Sequence, residues 1–240
     1  MNYPIFTNSV NSIQLTDRKQ FICTTNAFSH VLSTKDGEFL EALQNADIVV
    51  PDGFPVVWAL KILYRKKVKK IAGEDLFFFF MKMMQQQKGK VFFLGSTNES
   101  LQKMKQRTNN DYPNITVFTY SPPYKPTFNE EDNAKIFSEI NAVNPDIVFV
   151  GMTAPKQEKW AYRNKEQLET KAIVCVGAVF DFYAETVKRA PKLLIKLHLE
   201  WFYRLIREPR RMWKRYLIYS PLFFWDLFLY FLGIKKKHFL

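Results

Sequence analysis

The residue best placed to do chemistry is Asp52. It follows the apolar run DIVVP (47–51) and stands between Pro51 and Gly53. An aspartate partly desolvated at a strand tip keeps its proton to higher pH and can act as a general base. The same tripeptide also makes an ordinary Pro-Asp-Gly turn. Three further polar groups end apolar runs: Thr24, Thr25 and Asn26 after FICTT; the segment TAPKQE (153–158) after DIVFVG; and Asp181 after AIVCVG. Thr24 and Asn26 could orient a sugar or a uracil-like ring, and Thr25 or Asn26 could equally cap a helix. Pro155 suits a helix's first turn, whose N–H groups could meet an anion. Gln157 would then face the cleft, and Glu158 would favour the helix dipole.

Such residues need elements to hold them. Apolar, β-branched or aromatic runs at 21–25, 47–51, 90–95, 115–120, 146–151 and 172–177 read as strands. Segments of helical composition lie between them at 37–46, 74–87, 98–107 and 130–143, the last acidic at its start. Continuous apolar strands alternating with helices predict an α/β fold, a mostly parallel Rossmann-like sheet flanked by helices. Ligands of such sheets bind outside the carboxyl ends of the strands. Gly53, Gly95, Gly151 and Gly177 each follow one of these runs, where glycine permits a positive φ or a close approach of backbone to ligand, and where an ordinary turn would also use it. The proline-rich SPPYKPTF (121–128) reads as a surface loop.

Several kinds of chemistry lose support. Neither G-x-G-x-x-G nor G-x-x-x-x-G-K-[ST] occurs, which argues against dinucleotide cofactors and P-loop hydrolysis. No Asp-x-Asp follows a strand and no Cys/His spacing resembles a zinc site, so neither a cofactor nor a metal is expected. Cys23 and Cys175 lie inside apolar runs and read as reduced thiols in strands. The N-terminus has no basic segment leading into an apolar one, so a cytoplasmic protein is expected.

Charge divides the chain. Residues 1–185 carry 22 basic and 20 acidic side chains, whereas 186–240 carry 13 and 3, so the net charges are +2 and +10. This predicts a core over 1–190, a basic helical appendage over 191–240, and an anionic partner for the appendage.

Taken in order, TTNAFSH, ADIVVPDGFPVVWA, GEDLF, FLGS, PDIVFVGMTAPKQEKW, VGAVFDF, KRAP and LEWFYRLIREPRR resemble the WecG/TagA/CpsF family of bacterial glycosyltransferases over roughly residues 20–216. The resemblance implies inverting, metal-independent transfer of a sugar from a UDP-sugar to a polyprenyl-diphosphate-linked glycan. An N-acetylmannosamine-type sugar is favoured, and the pathways implied are those of teichoic acid, capsule or exopolysaccharide. It also implies that Asp52 is the base, that Thr24 and Asn26 line the sugar and nucleotide pocket, and that Gln157 is the polar residue of the PKQE motif. One position departs: Glu185 stands where the family usually has glycine.

Without a metal, charge building on a departing diphosphate must meet cations or helix N-termini. Residues 192–215 show helical apolar spacing at Leu194, Leu197, Trp201 and Leu205, with arginines between them. Of these, Arg204, Arg211 and Arg215 are assigned to phosphates, since the guanidinium fork suits phosphate oxygens. The stretch 217–234 holds seven aromatics, with Pro221 inside and Asp226 central. Its 18 residues are fewer than the roughly 20 needed to span a bilayer. It reads as an interfacial anchor, which places the enzyme peripherally on the inner face of the cytoplasmic membrane. A re-entrant helix and a buried or oligomer-contact helix are the alternatives, and a homo-oligomer stays open. A nucleic-acid-binding module would share the high pI but explains neither the aromatic stretch nor the polar strand ends. A non-catalytic membrane scaffold is the other rival.

Overall fold

All six expected runs are strands, and they join one sheet because their side chains are apolar on both faces. The computed structural model describes residues 3–65, 68–187, 190–197 and 199–234. Lys188 and Arg189 of the KRAP motif and the three C-terminal lysines lie outside them. The strands are β1 (Gln20–Thr25), β2 (Ile48–Pro51), β3 (Lys90–Gly95), β4 (Thr116–Tyr120), β5 (Ile147–Gly151) and β6 (Ala172–Cys175). They pair in the order β2-β1-β6-β5-β3-β4, every pair parallel. The expected parallel α/β fold is therefore observed.

Alternation along each strand sorts the core into two layers. Phe21, Cys23, Val49, Phe92, Val148 and Cys175 face one side, where α1 (Ala27–Ser33), α2 (Gly37–Gln44), α3 (Phe54–Tyr64), α6 (Glu130–Asn141) and α7 (Lys156–Asn164) cover them. Ile22, Val50, Phe93, Phe149 and Val174 face the other, under α4 (Gly73–Gln87), α5 (Asn98–Asp111) and α8 (Val179–Tyr183). Cys23 and Cys175 are buried, unbridged and in adjacent strands. Local chemistry starts the helices: Asn26, Asp36, Thr97 and Asn129 each accept a backbone N–H as N-caps, at the ends where orphan donors need partners.

The C-terminal region differs from the single helical run that its spacing predicts. It is broken into α9 (Lys192–Lys196), α10 (Glu200–Arg207) and α11 (Pro209–Trp213), followed by a π-helical turn (Lys214–Tyr219) and α12 (Ser220–Phe231). The break before α11 falls at Glu208, at φ −129° and ψ 58°. Pro209 excludes the helical region for the residue before it. Leu197 and Trp201, two of the apolar positions expected to line one helix face, are exposed.

Helix α12 is two-faced. Phe223 and Leu227 are buried in the same core layer as Val31 and Leu60, with the Phe223 ring edge-on to His30 at 5.1 Å between centroids. Phe224, Trp225, Phe228 and Phe231 line its exposed side. Trp58 of α3 meets Phe224 at 6.0 Å, and Phe54, Trp58 and Ile62 extend the exposed apolar surface onto α3. Among the described residues no helix is long and apolar enough to cross a membrane.

Candidate active site

The site is assembled where β1, β2, β5 and β6 end. Pairing of Thr25 with Pro51 brings the two polar strand ends level, and the Asp52 N–H donates to the Thr25 carbonyl at 2.7 Å. Asp52 is thereby tied to β1 as well as β2, which makes it more than the tip of a loose turn. Asn26 takes the capping role: its Oδ1 accepts from Ser29 N–H at 3.0 Å, and its amide N–H groups are left to donate. Gly53 begins α3 at φ +104°, a conformation that favours glycine, and a Cβ there would sit 3.9 Å from that of Asn26. Thr24 is half-buried beside them, while Thr25 is fully buried with its hydroxyl 3.2 Å from that of Tyr3.

Burial raises the Asp52 pKa above the usual aspartate value, and Glu200 and Asp75 push the same way. Lys70 and Arg215 oppose them. Arg215 belongs to the π-helical turn of the C-terminal region, so a cation of that region acts on the base candidate at the sheet edge.

The glycines ending β3 and β5 are held by packing. A Cβ on Gly151 would lie 2.3 Å from the Phe180 ring, and one on Gly95 would lie 2.6 Å from the Gly151 carbonyl oxygen. Pro155 follows a cis peptide and precedes the first residue of α7. The next two residues depart from expectation. Gln157 is buried rather than lining an open cleft: its Oε1 accepts from Gly177 N–H at 3.1 Å and its Nε2 donates to Glu158 Oε1 at 2.7 Å. Glu158, read as a helix-dipole residue, is buried too, and desolvation lifts its pKa to about 7. Asp181, on α8, is half-buried with a raised pKa, chiefly from burial, while Arg211 and Arg204 pull it down.

The three assigned arginines all act on this edge. Arg215 influences Asp52 and Glu158, and its guanidinium lies 5.2 Å from the Phe28 ring centroid. Arg204 lies 5.5 Å from the Phe182 ring, and its Nε is buried without a hydrogen-bond partner among the described residues. Arg211 is exposed and pairs with Glu208 at 3.0 Å. A cavity of about 350 Å³, lined by Phe182, Thr186, Ala190, Glu200, Arg204 and Glu208 among others, opens beside α10; Asp52 does not line it. Glu185 has φ +56°, in the left-handed region where glycine is favoured, and pairs with Arg107 at 3.1 Å.

Sequence reasoning passed over Lys70 and the burial of Glu158. Lys70 belongs to the lysine-rich RKKVKK, which reads as solvated charge, and nothing in its type separates it from its neighbours. For Glu158 the one signal was its spacing of three residues from Ala161, which is buried, and an acid's ordinary place in a helix's first turn outweighs it. Among the described residues no three His, Cys, Asp or Glu side chains gather as metal ligands would.

A parallel sheet with an aspartate at its carboxyl edge, acted on by Lys70 and Arg215, places the candidate site where α/β enzymes bind their ligands. Residues 2–237 match the glycosyl transferase WecG/TagA/CpsF family, and the chain belongs to that family. It is similar to the N-acetylglucosaminyldiphosphoundecaprenol N-acetyl-β-D-mannosaminyltransferase of Bacillus subtilis (strain 168), at 32% identity over 196 residues covering 82% of this chain and 74% of the relative. The enzyme of the same name from Staphylococcus aureus (strain MW2) is 33% identical over 195 residues, covering 81% and 73%.

Proposed function

We propose that this glycosyltransferase moves an N-acetylmannosamine-type sugar from a UDP-sugar to a polyprenyl-diphosphate-linked N-acetylglucosamine acceptor, with inversion, in cell-surface polysaccharide synthesis. The relatives' acceptor and sugar support this choice. The observation that carries the mechanism is the placement of Asp52, tied to both strand ends and facing Arg215. An acceptor hydroxyl oxygen attacks C1 of the donor sugar as the bond from C1 to the UDP oxygen breaks, and Asp52 takes the hydroxyl proton. Arg215, with Arg204 and Arg211, meets the negative charge gathering on the diphosphate. Thr24, Asn26 and Gly53 surround the donor, Gln157 supports the Gly177 turn from the buried side, and Gly95, Gly151 and Pro155 shape the neighbouring strand ends.

The protein sits peripherally on the inner membrane face, where its lipid-linked acceptor lies. The exposed aromatics of α12 and α3, together with the +10 charge of 186–240, support that placement.

Transfer from UDP-N-acetylmannosamine to a short-chain lipid-linked N-acetylglucosamine tests the reading. Asp52→Asn is expected to lower turnover by on the order of 10²-fold or more with UDP affinity retained. Near-normal turnover would remove Asp52 as base. A wild type inactive with every UDP-hexose and UDP-N-acetylhexosamine tried would overturn the transferase assignment of donor and acceptor.

A further inference from the structure

Gln157 and Glu158 are consecutive residues in the first turn of α7, and both are buried, at 3% and 1% exposure. A polar side chain buried to that degree needs its partners. Gln157 has one at each end: the Gly177 N–H donates to its Oε1 at 3.1 Å, and its Nε2 donates to Glu158 Oε1 at 2.7 Å. These two bonds allow a single orientation of the amide. Turning it over would set N–H against the Gly177 N–H and oxygen against a carboxylate. One Nε2–H is spent on Glu158, and the other is left.

Gly177 is a demanding place to anchor such a bond. It has φ +60°, and its N–H also reaches the Val150 carbonyl at 3.4 Å. The turn it belongs to leads from β6 into α8, which carries Asp181. Glu158 feels Arg215, the cation that also acts on Asp52. Its second oxygen is buried without a hydrogen-bond partner among the described residues. Keeping an incompletely satisfied carboxylate there costs stability. An apolar residue of similar size would fill the space without that cost, so its acceptor function is what distinguishes it.

We infer that Glu158 is a positioning residue of the transfer site, holding the Gln157 amide in the one orientation that secures the Gly177 turn at the carboxyl end of β6. This rests on the transferase reading only for the turn's place in the transfer site; the Glu158–Gln157–Gly177 latch itself does not depend on it.

A double-mutant cycle with a conservative rescue tests the inference, read by donor KM and kcat and by hydrogen exchange of the Gln157 side-chain amide in NMR spectra. Glu158→Ala is expected to raise donor KM about tenfold and to speed Gln157 amide exchange. Glu158→Gln, whose carbonyl can accept the same bond, is expected to stay within about threefold of wild type in KM and to keep the slow exchange. In a Gln157→Ala background, Glu158→Ala is expected to add less than about twofold. Additive effects, or a Glu158→Gln variant as impaired as Glu158→Ala, would overturn the positioning role. If the wild type shows no transfer at all, the donor assignment fails separately, and the exchange measurement still decides the latch: fast Gln157 exchange in the wild type refutes it.

Discussion

The body and the C-terminal region solve different problems with different residues. In the body, apolar side chains face inward on both sides of the sheet, and three acids, Asp52, Glu158 and Asp181, are buried or half-buried beyond its carboxyl edge. In the C-terminal region apolar side chains point both ways along α12, and the cations that act on the body's acids are Arg204, Arg211 and Arg215, with Glu200 and Glu208 acting against them. Each acid is raised above its ordinary pKa by burial, and each is pulled back by one or more arginines of the other region. The larger share of the site's positive charge thus comes from the C-terminal region and of its negative charge from the body, with Lys70, Glu200 and Glu208 as the exceptions.

The largest expected effect tests whether the two regions form one folding unit. Phe223 is fully buried against His30 and belongs to the body's core layer. Phe223→Ala should lower the unfolding free energy by about 3–5 kcal/mol in urea titrations. A cost near zero would mean that α12 rests on the body without being part of its core. The same burial complicates removal of residues 191–240, which would strip Phe223 and Leu227 from the core as well as any membrane contact.

The next effect concerns the acids alone. Glu158 has its pKa raised from 4.5 to about 7, chiefly by desolvation. Between those values the folded state holds a proton that the unfolded chain has lost, so Glu158 makes stability fall as pH rises through this window. Glu158→Gln removes that slope. The variant should gain on the wild type by about 3 kcal/mol between pH 4.5 and 7. The groups acting on Glu158, namely Gln157 and Arg215, and the thiols of Cys23 and Cys175 that it acts on, are common to both proteins. Urea titrations at pH 5 and pH 7.5 check this. A stability difference that does not change with pH would mean Glu158 stays ionised in the fold.

What could be read in the sequence follows the same division. The strands were legible because burial on both faces leaves continuous apolar runs, and Asp52 because a carboxylate directly after such a run breaks the pattern. Glu158 was not, since an acid in a helix's first turn has a sufficient local explanation in the helix dipole. Lys70 was hidden by identical neighbours. In the C-terminal region the single helix expected over 192–215 overlooked Pro209, which disfavours helix at Glu208 and separates α10 from α11. The docked face of α12 carried no mark at all, because Phe223 and Phe224 are the same residue type and only contact with α1 and α3 decides which is buried.

That decision gives a smaller, separable effect. Replacing Trp225 and Phe228 with serine alters only the exposed side of α12. Sedimentation with anionic vesicles should show affinity reduced roughly tenfold or more, with the urea midpoint unchanged. Unchanged vesicle binding would remove this face as the membrane contact, and a fall in stability would show that it is packed against protein instead.

The smallest effect lies in the turn by which the chain leaves the body. Glu185 follows α8 with φ +56°, and its exposed ion pair with Arg107 is of a kind worth little in water. Comparing Glu185→Gly with Glu185→Ala cancels that pair, since neither variant can form it. The glycine variant should be more stable by about 1 kcal/mol, because only alanine pays for a Cβ in the left-handed region. Equal stabilities would mean that the turn relaxes to another conformation at no cost. Thr186 and Val187, which follow it and line the cavity beside Arg204, would then be held only by their bonds to the Asp181 carbonyl.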